Sequence, residues 1–285
     1  MDLKRIHLRA RSRALFVLVC TLFSSTPGAA QVTASLGSLF VTATRTAQPV
    51  ERLVADVTVV DADEIARSGA QSLADLLARQ PGIEITQNGS PASTTGVFIR
   101  GANRGQTVLL IDGMRVNSAS VGAPSFEAVP LAQIERIEIL RGPASSLYGA
   151  DAIGGVVQVF TRQPVEQGAS VNATAGYGTY DTRVLHAGGS AALGPMRISL
   201  HAGGRRSDGF DATTPDASFI VNPDRDGYES DDVGAIAYLA LAPGHELSAQ
   251  LLRNRLDAQF DGGPDFDDRT STTLTTAGTG ASRIC

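Results

Sequence analysis

At 285 residues the chain has room for one or two domains, and it is rich in glycine, poor in aromatics and free of tryptophan. Its net charge of −5 and pI near 5.4 exclude the basic stripe of a nucleic-acid binder. Beyond the amino terminus no apolar run is long enough for a spanning helix, which leaves membrane-crossing strands open, because their signal is far weaker.

Lys4, Arg5, Arg9, Arg11 and Arg13 precede a short apolar core, Ala14 to Phe23, and the small residues Pro27-Gly28-Ala29-Ala30 follow. This is the pattern of a signal peptide over residues 1–30, with a core too short to serve as a membrane anchor. Cys20 lies inside it, so Cys285 alone remains and no internal disulfide is expected. Residues 31–50 are small and polar and read as a flexible segment. One β-prone run interrupts it, Leu39-Phe40-Val41-Thr42-Ala43, which by itself is an edge strand or nothing.

Residues 51–165 carry mixed signals. Val57 to Val60 predicts a strand. Asp61 or Asp63 caps a short helix that Gly69 ends, and Ser72 caps a second helix with Leu73, Leu76 and Leu77 on one face, stopped by Pro81-Gly82. Ile83 and Ile85 open another strand, followed by a polar loop from Gln87 to Thr95. Strands at Val97 to Arg100 and Val108 to Ile111 follow, with Asp112-Gly113 as a turn and a second polar loop from Asn117 to Ser125. The run IERIEILRGPASSLYGADAIGGVVQVFT, Ile134 to Thr161, reads as strand, small-residue loop, strand. It holds neither a phosphate loop nor a dinucleotide fingerprint. The whole stretch predicts a small α+β domain.

After Pro164 the texture becomes alternating and Gly/Ala-rich. Strands are predicted at Ser170 to Tyr177, Thr182 to Leu193, Met196 to Ser207, Val233 to Leu241 and Glu246 to Asp257, with a weak sixth at Ser271 to Gly280. Tight turns at Gly194-Pro195 and Pro243-Gly244 alternate with long polar loops, Asp208 to Ser230 and Ala258 to Arg269. Strands and turns alone fit either an outer-membrane barrel or a soluble β-sandwich. No G-x-S-x-G or H-E-x-x-H motif occurs and the histidines are isolated, so an enzyme is not expected.

Four blocks in order, SLADLLARQPGIEITQNG, GVFIRG, VLLIDGMRVN and ILRGPASSLYGADAIGGVVQVFTR, resemble the plug domain of TonB-dependent outer-membrane receptors. The resemblance covers about residues 39–165 and is closest to the cobalamin (vitamin B12) receptors of that family. Ferric siderophore or haem receptors share much of the pattern and remain the alternative. It implies an α+β plug followed by the first antiparallel strands of a transmembrane β-barrel over residues 166–285. Plugged barrels use about 22 strands, so the barrel is expected to be incomplete and the chain a truncated or partial product. A non-transporting fragment that only binds TonB is the alternative of another class.

The resemblance also implies roles for residues. Leu39, Phe40, Val41, Thr42 and Ala43 resemble the TonB box, which pairs as an added strand with the partner TonB. Gln87, Asn88, Gly89, Asn117, Ser118 and Ser120 match apical plug positions that touch substrate; ordinary loop composition reads the same. Two carboxylate-rich loops are long enough to share a hard cation. Asp211, Asp224, Asp226, Asp257 and one of Asp267 or Asp268 resemble the family's Ca2+ ligands, against a simple solvated acidic loop. Arg100, Arg141, Glu135 and Glu138 are candidates for holding plug to barrel. The implied localisation is the outer membrane of a Gram-negative bacterium, as a monomer without organic cofactor.

Overall fold

Two antiparallel or mixed sheets, set against one another, account for nearly all the regular structure. The computed structural model describes residues 40–41, 48–49, 56–87, 89–117, 122–212, 224–260 and 269–283. The expected signal peptide lies outside these residues. Phe40–Val41 (β1) pairs antiparallel with Gln48–Pro49 (β2).

The plug begins with Asp56–Val60 (β3). Helix α1, Ala62–Ser68, is capped by Asp61, whose carboxylate accepts from Glu64 N at 2.8 Å, and ends at Gly69. Helix α2, Leu73–Ala78, is capped by Ser72 in the same way. Ile83–Gln87 (β4) and Thr95–Ile99 (β5) form a separate hairpin. Thr107–Ile111 (β6) turns back through Asp112-Gly113 into Met114–Arg115 (β7). Both turn residues have positive φ, 47° and 82°, the conformation that a two-residue hairpin requires. Ile134–Arg141 (β8), the short helix α3 (Ser145–Tyr148) and Gly155–Thr161 (β9) complete the plug. The sequence reads α3 as loop, since four residues leave no helical period to detect.

The five-stranded plug sheet runs β3-β8-β9-β6-β7, with β6 and β9 parallel. One face presents Ile137, Ile139, Val157, Val159, Leu109 and Ile111 to α2 and Phe126. The other buries Leu140, Val156, Val108 and Leu110 under Ala144 and Ala152. Burial on both faces explains the unbroken apolar run of β6. At Gly155 a Cβ would stand 2.4 Å from the Leu140 carbonyl, so only glycine admits this approach between β8 and β9.

The second sheet is a six-stranded antiparallel meander: Ala169–Gly178 (β10), Thr182–Leu193 (β11), Met196–Ser207 (β12), Tyr228–Ala242 (β13), His245–Gln259 (β14) and Arg269–Arg283 (β15). Strand β13 starts five residues before the sequence-based estimate. Glu229, Asp231 and Asp232 therefore lie in the ladder and not in a loop, paired with Arg206, Gly204 and Gly203. Across the sheet, outward residues fall in register: Leu200 opposite Ala235, Ala235 opposite Leu251, Leu239 opposite Leu247. Together with exposed Val171, Leu185 and Leu241 they make a continuous apolar band. Charged Arg206, Glu229 and Asp257 rim it at the end that carries the long loops. Fifteen-residue strands reach about 50 Å, beyond the roughly 30 Å of a bilayer's hydrocarbon.

Candidate functional site

At the loop end of the wall, between plug and sheet, lies an open cleft of about 690 Å3. Its floor comes from the plug and its side from β14, β15 and the outer-loop residues Ala212 and Asp226. Gln87, Gly89, Ser93, Glu127, Asp226 and Phe260 are among its lining.

Gln87, at the end of β4, donates from Nε2 to the Pro91 carbonyl and to Thr95 Oγ1, at 3.1 and 3.0 Å. This fastens the apical loop onto β5. Glu127 sits on a 3-10 turn, Phe126–Ala128, and accepts from Thr95 N at 3.2 Å. Burial pushes its carboxyl above the ordinary carboxylate range, opposed by backbone hydrogen bonds and by Arg104. Asp226 is almost fully buried at the mouth of β13. Next to it Gly227 N donates to Gln259 Oε1 at 3.1 Å, and Gln259 N returns a bond to Gly227 O. The Tyr180 and Phe210 rings, 5.2 Å apart, pin the start of the outer loop.

Of the expected substrate positions, Gln87 and Gly89 line this cleft. Asn117 does not; its Nδ2 donates to Gly122 O at 3.0 Å and closes its own loop. Asn88, Ser118 and Ser120 lie outside the described residues. Sequence reasoning missed Glu127 and Arg104. The only trace of Glu127 in the chain is a lone acid between Phe126 and Ala128 in an otherwise apolar run.

The expected metal ligands are scattered by the strand register. Asp226 lines the cleft, whereas Asp257, on β14, is aligned with outward Leu251 and Arg253 and accepts from Arg255 Nε at 2.8 Å. Asp211 and Asp224 belong to the outer loop, and Asp224 Oδ1 is buried without a hydrogen-bond partner. Among the described residues no three His, Cys, Asp or Glu side chains are placed to hold a metal ion; Asp267 and Asp268 lie outside them. Of the TonB-box positions, Phe40 and Val41 are extended and paired, and Leu39, Thr42 and Ala43 lie outside the described residues.

The residues expected to hold plug to barrel do something else. Arg100 and Arg141 both reach Asp56, inside the plug. Arg141 also donates to Pro81 O and Thr58 Oγ1, each at 2.7 Å. Glu135 accepts from Gln163 N and Glu138 pairs with Arg136. Among the described residues the plug-to-wall bonds include Gln133 to Asp232, Asn254 to the Ala128 carbonyl, Arg205 to the Gln71 carbonyl, Tyr238 to Gln163, and Gln250 to the Met114 sulfur.

Residues 49–156 match the TonB-dependent Receptor Plug Domain family. The chain is 37% identical over 199 residues to the vitamin B12 transporter BtuB of Vibrio vulnificus, covering 70% of this chain and 32% of that protein. It is 35% identical over 232 residues to the vitamin B12 transporter BtuB of Photobacterium profundum, covering 81% and 36%. The chain thus spans about a third of these relatives' length. Among solved structures it resembles FpvA of P. aeruginosa bound to heterologous pyoverdines, with a TM-score of 0.68 at 16% identity over 86% of this chain and 34% of that one. A mutant of the ferric enterobactin receptor PfeA from Pseudomonas aeruginosa aligns with a TM-score of 0.61 at 23% identity over 79% and 35%. At these identities the structural likeness establishes fold alone.

Proposed function

The chain carries a TonB-dependent receptor plug domain and part of the barrel wall around it, and from that premise we propose that the full-length protein takes up cobalamin across the outer membrane. The family is one of transporters, not enzymes. The observation that carries the substrate is the 35–37% identity to vitamin B12 transporters, which runs through the plug and into the wall strands. The cleft supports it: a polar floor of Gln87, Ser93 and Glu127 beside Phe260 offers both hydrogen-bonding groups and an apolar contact to a large amide-rich ligand. The apolar band on the outward wall face supports an outer-membrane location.

In this reading cobalamin seats on the plug apex, and the segment Leu39 to Ala43 is offered to TonB, which adds a strand and pulls. The extended backbone of Phe40 and Val41 suits such pairing. Calcium in the outer loops belongs to the same proposal. The buried, unsatisfied Asp224 Oδ1 is the kind of oxygen a hard cation takes, although the described carboxylates are not gathered around it. Asp257 departs from that set, since Arg255 already holds it on the outward face. When bound, the ion would neutralise the loop carboxylates and order them over the cleft.

The deciding experiment uses the full-length receptor in cells lacking their own cobalamin receptor. TonB-dependent, calcium-stimulated uptake of labelled cobalamin is expected. Uptake of a ferric siderophore or haem without cobalamin would overturn the substrate. Val41→Pro should abolish capture by the TonB carboxyl-terminal domain; unchanged capture refutes the box.

A further inference from the structure

Two smaller cavities, each about 310 Å3, follow the cleft along the seam between plug and wall. The first shares Ala92 and Glu127 with the cleft. The second shares Ala62, Arg162, His186 and Asp232 with the first. The three spaces therefore form a series.

The seam is closed in two chemically different ways. Over β14 and β15 the contact is mainly apolar: Leu252 and Leu274 join the core cluster that contains Phe126 and Val129, with Asn254 Nδ2 to the Ala128 carbonyl and Gln250 Nε2 to the Met114 sulfur as polar contacts among them. Over β11 to β13 it is polar. Gln133, at the end of the 3-10 turn Leu131–Gln133, donates from Nε2 to the Asp232 carboxylate of β13. Both are buried, at 2% and 6% exposure. The second Asp232 oxygen stands 3.5 Å from His186 Nδ1. Gln133 Oε1 is buried and accepts no hydrogen bond. Gly234 makes the fit, because a Cβ there would lie 2.6 Å from that oxygen.

Separating the apolar part exposes hydrocarbon to water, which is costly. Separating the polar part exposes an amide, a carboxylate and imidazoles that water satisfies, and it relieves the unmet Gln133 oxygen. The wall is therefore easiest to leave along β11 to β13.

We propose that the Gln133–Asp232 bond is a catch that holds this seam shut, and that its release joins the three spaces into a polar passage along β11 to β13. That a large polar solute moves through the passage rests on the transporter reading; the catch itself does not.

The test uses the full-length receptor in outer membranes. In a Gln133→Cys/Asp232→Cys variant, a short bifunctional methanethiosulfonate reagent ties plug to wall, since a Gln–Asp span exceeds the reach of a disulfide. Bridging should lower cobalamin uptake at least tenfold with surface binding unchanged, and reductant should restore it. The same bridge across Ala128→Cys/Asn254→Cys, on the β14 side beside the apolar cluster, should leave uptake within twofold. Undiminished uptake in the first, or equal loss in both, overturns the assignment. A second readout needs no cargo. Ser199→Cys, buried in the lower cavity, should react with a small water-soluble maleimide at least fivefold faster when Gln133→Ala is added. Asp232→Asn, which keeps an acceptor, should leave the rate unchanged. No acceleration sinks the catch. Acceleration in a receptor that binds no cobalamin removes the transport reading and leaves the catch standing.

Discussion

His186 and Asp232 stand on strands that are not neighbours, β11 and β13, yet His186 Nδ1 lies 3.5 Å from Asp232 Oδ1. Gly203 of β12 is opposite both in the ladder, and it leaves the gap the imidazole crosses. A Cβ at Gly203 would sit 1.9 Å from His186 Nδ1.

Gly203→Ala should therefore expel the ring and destabilise the receptor by about 1–3 kcal/mol, the usual cost of overpacking. Adding His186→Ala removes the clash and should recover most of the loss. Urea midpoints of the four members of this double-mutant cycle measure the coupling; additive losses would mean that the two residues do not compete for the gap.

Glu127 reports burial through pH. Its folded carboxyl is raised by desolvation, so the neutral form favours the fold. The contribution is complete below the unfolded carboxylate pKa, about 4.3, and is lost as pH rises through the raised folded value. Glu127→Gln keeps an acceptor for Thr95 N without the charge. The variant should match the parent near pH 4 and be at least as stable at pH 8. A variant less stable at pH 8 would show that the ionised carboxylate is worth more than its burial costs.

Two arginines on one carboxylate should differ sharply. Arg141 has a side chain 4% exposed and donates to Asp56, Thr58 and Pro81, whereas Arg100 is 53% exposed and reaches Asp56. Losing Arg141 to Ala removes a buried guanidinium together with its bonds to Asp56, Thr58 and Pro81 and should cost about 1.5–3 kcal/mol. Arg100→Ala should cost no more than about 1 kcal/mol, as for other exposed pairs. Denaturant titration of each variant ranks them, and equal losses would contradict the burial argument.

The outward band gives a depth-dependent expectation. Leu251 is 43% exposed and sits between Ala235 and Ala277. In the bilayer Leu251→Lys should cost about 2–4 kcal/mol, and Ser271→Lys, beside Asp257 at the rim, about 0–1. Folding equilibria in lipid vesicles test this; equal penalties would mean that the face does not meet lipid.

Much of this architecture was legible in the chain. Asp61 and Ser72 cap helices where their spacing places them, and Asp112-Gly113 turns where a short hairpin demands positive φ. Alternation located every wall strand, but the start of β13 was misplaced. Glu229, Asp231 and Asp232 look like loop acids until their cross-strand partners are known. Gln87 and Gly89, named through the family resemblance, lie along the cleft. Glu127 was not named, because nothing local distinguishes an acid that a distant Thr95 will meet.

Local pattern by itself determined the plug's helices and strands and the alternation of the wall strands, since these depend on neighbours in sequence and on period, while the four ordered blocks carried the resemblance to the family. Only the tertiary structure decided which polar residues meet. It turned Arg100 and Arg141 inward to Asp56 and brought Gln133 to Asp232 across 99 positions. It also set Asp257 on the face opposite Asp226's cleft. Such partnerships follow from strand register and from which side chains are small enough to let others pass, as Gly203 does for His186. Neither is written in the spacing of the residues concerned.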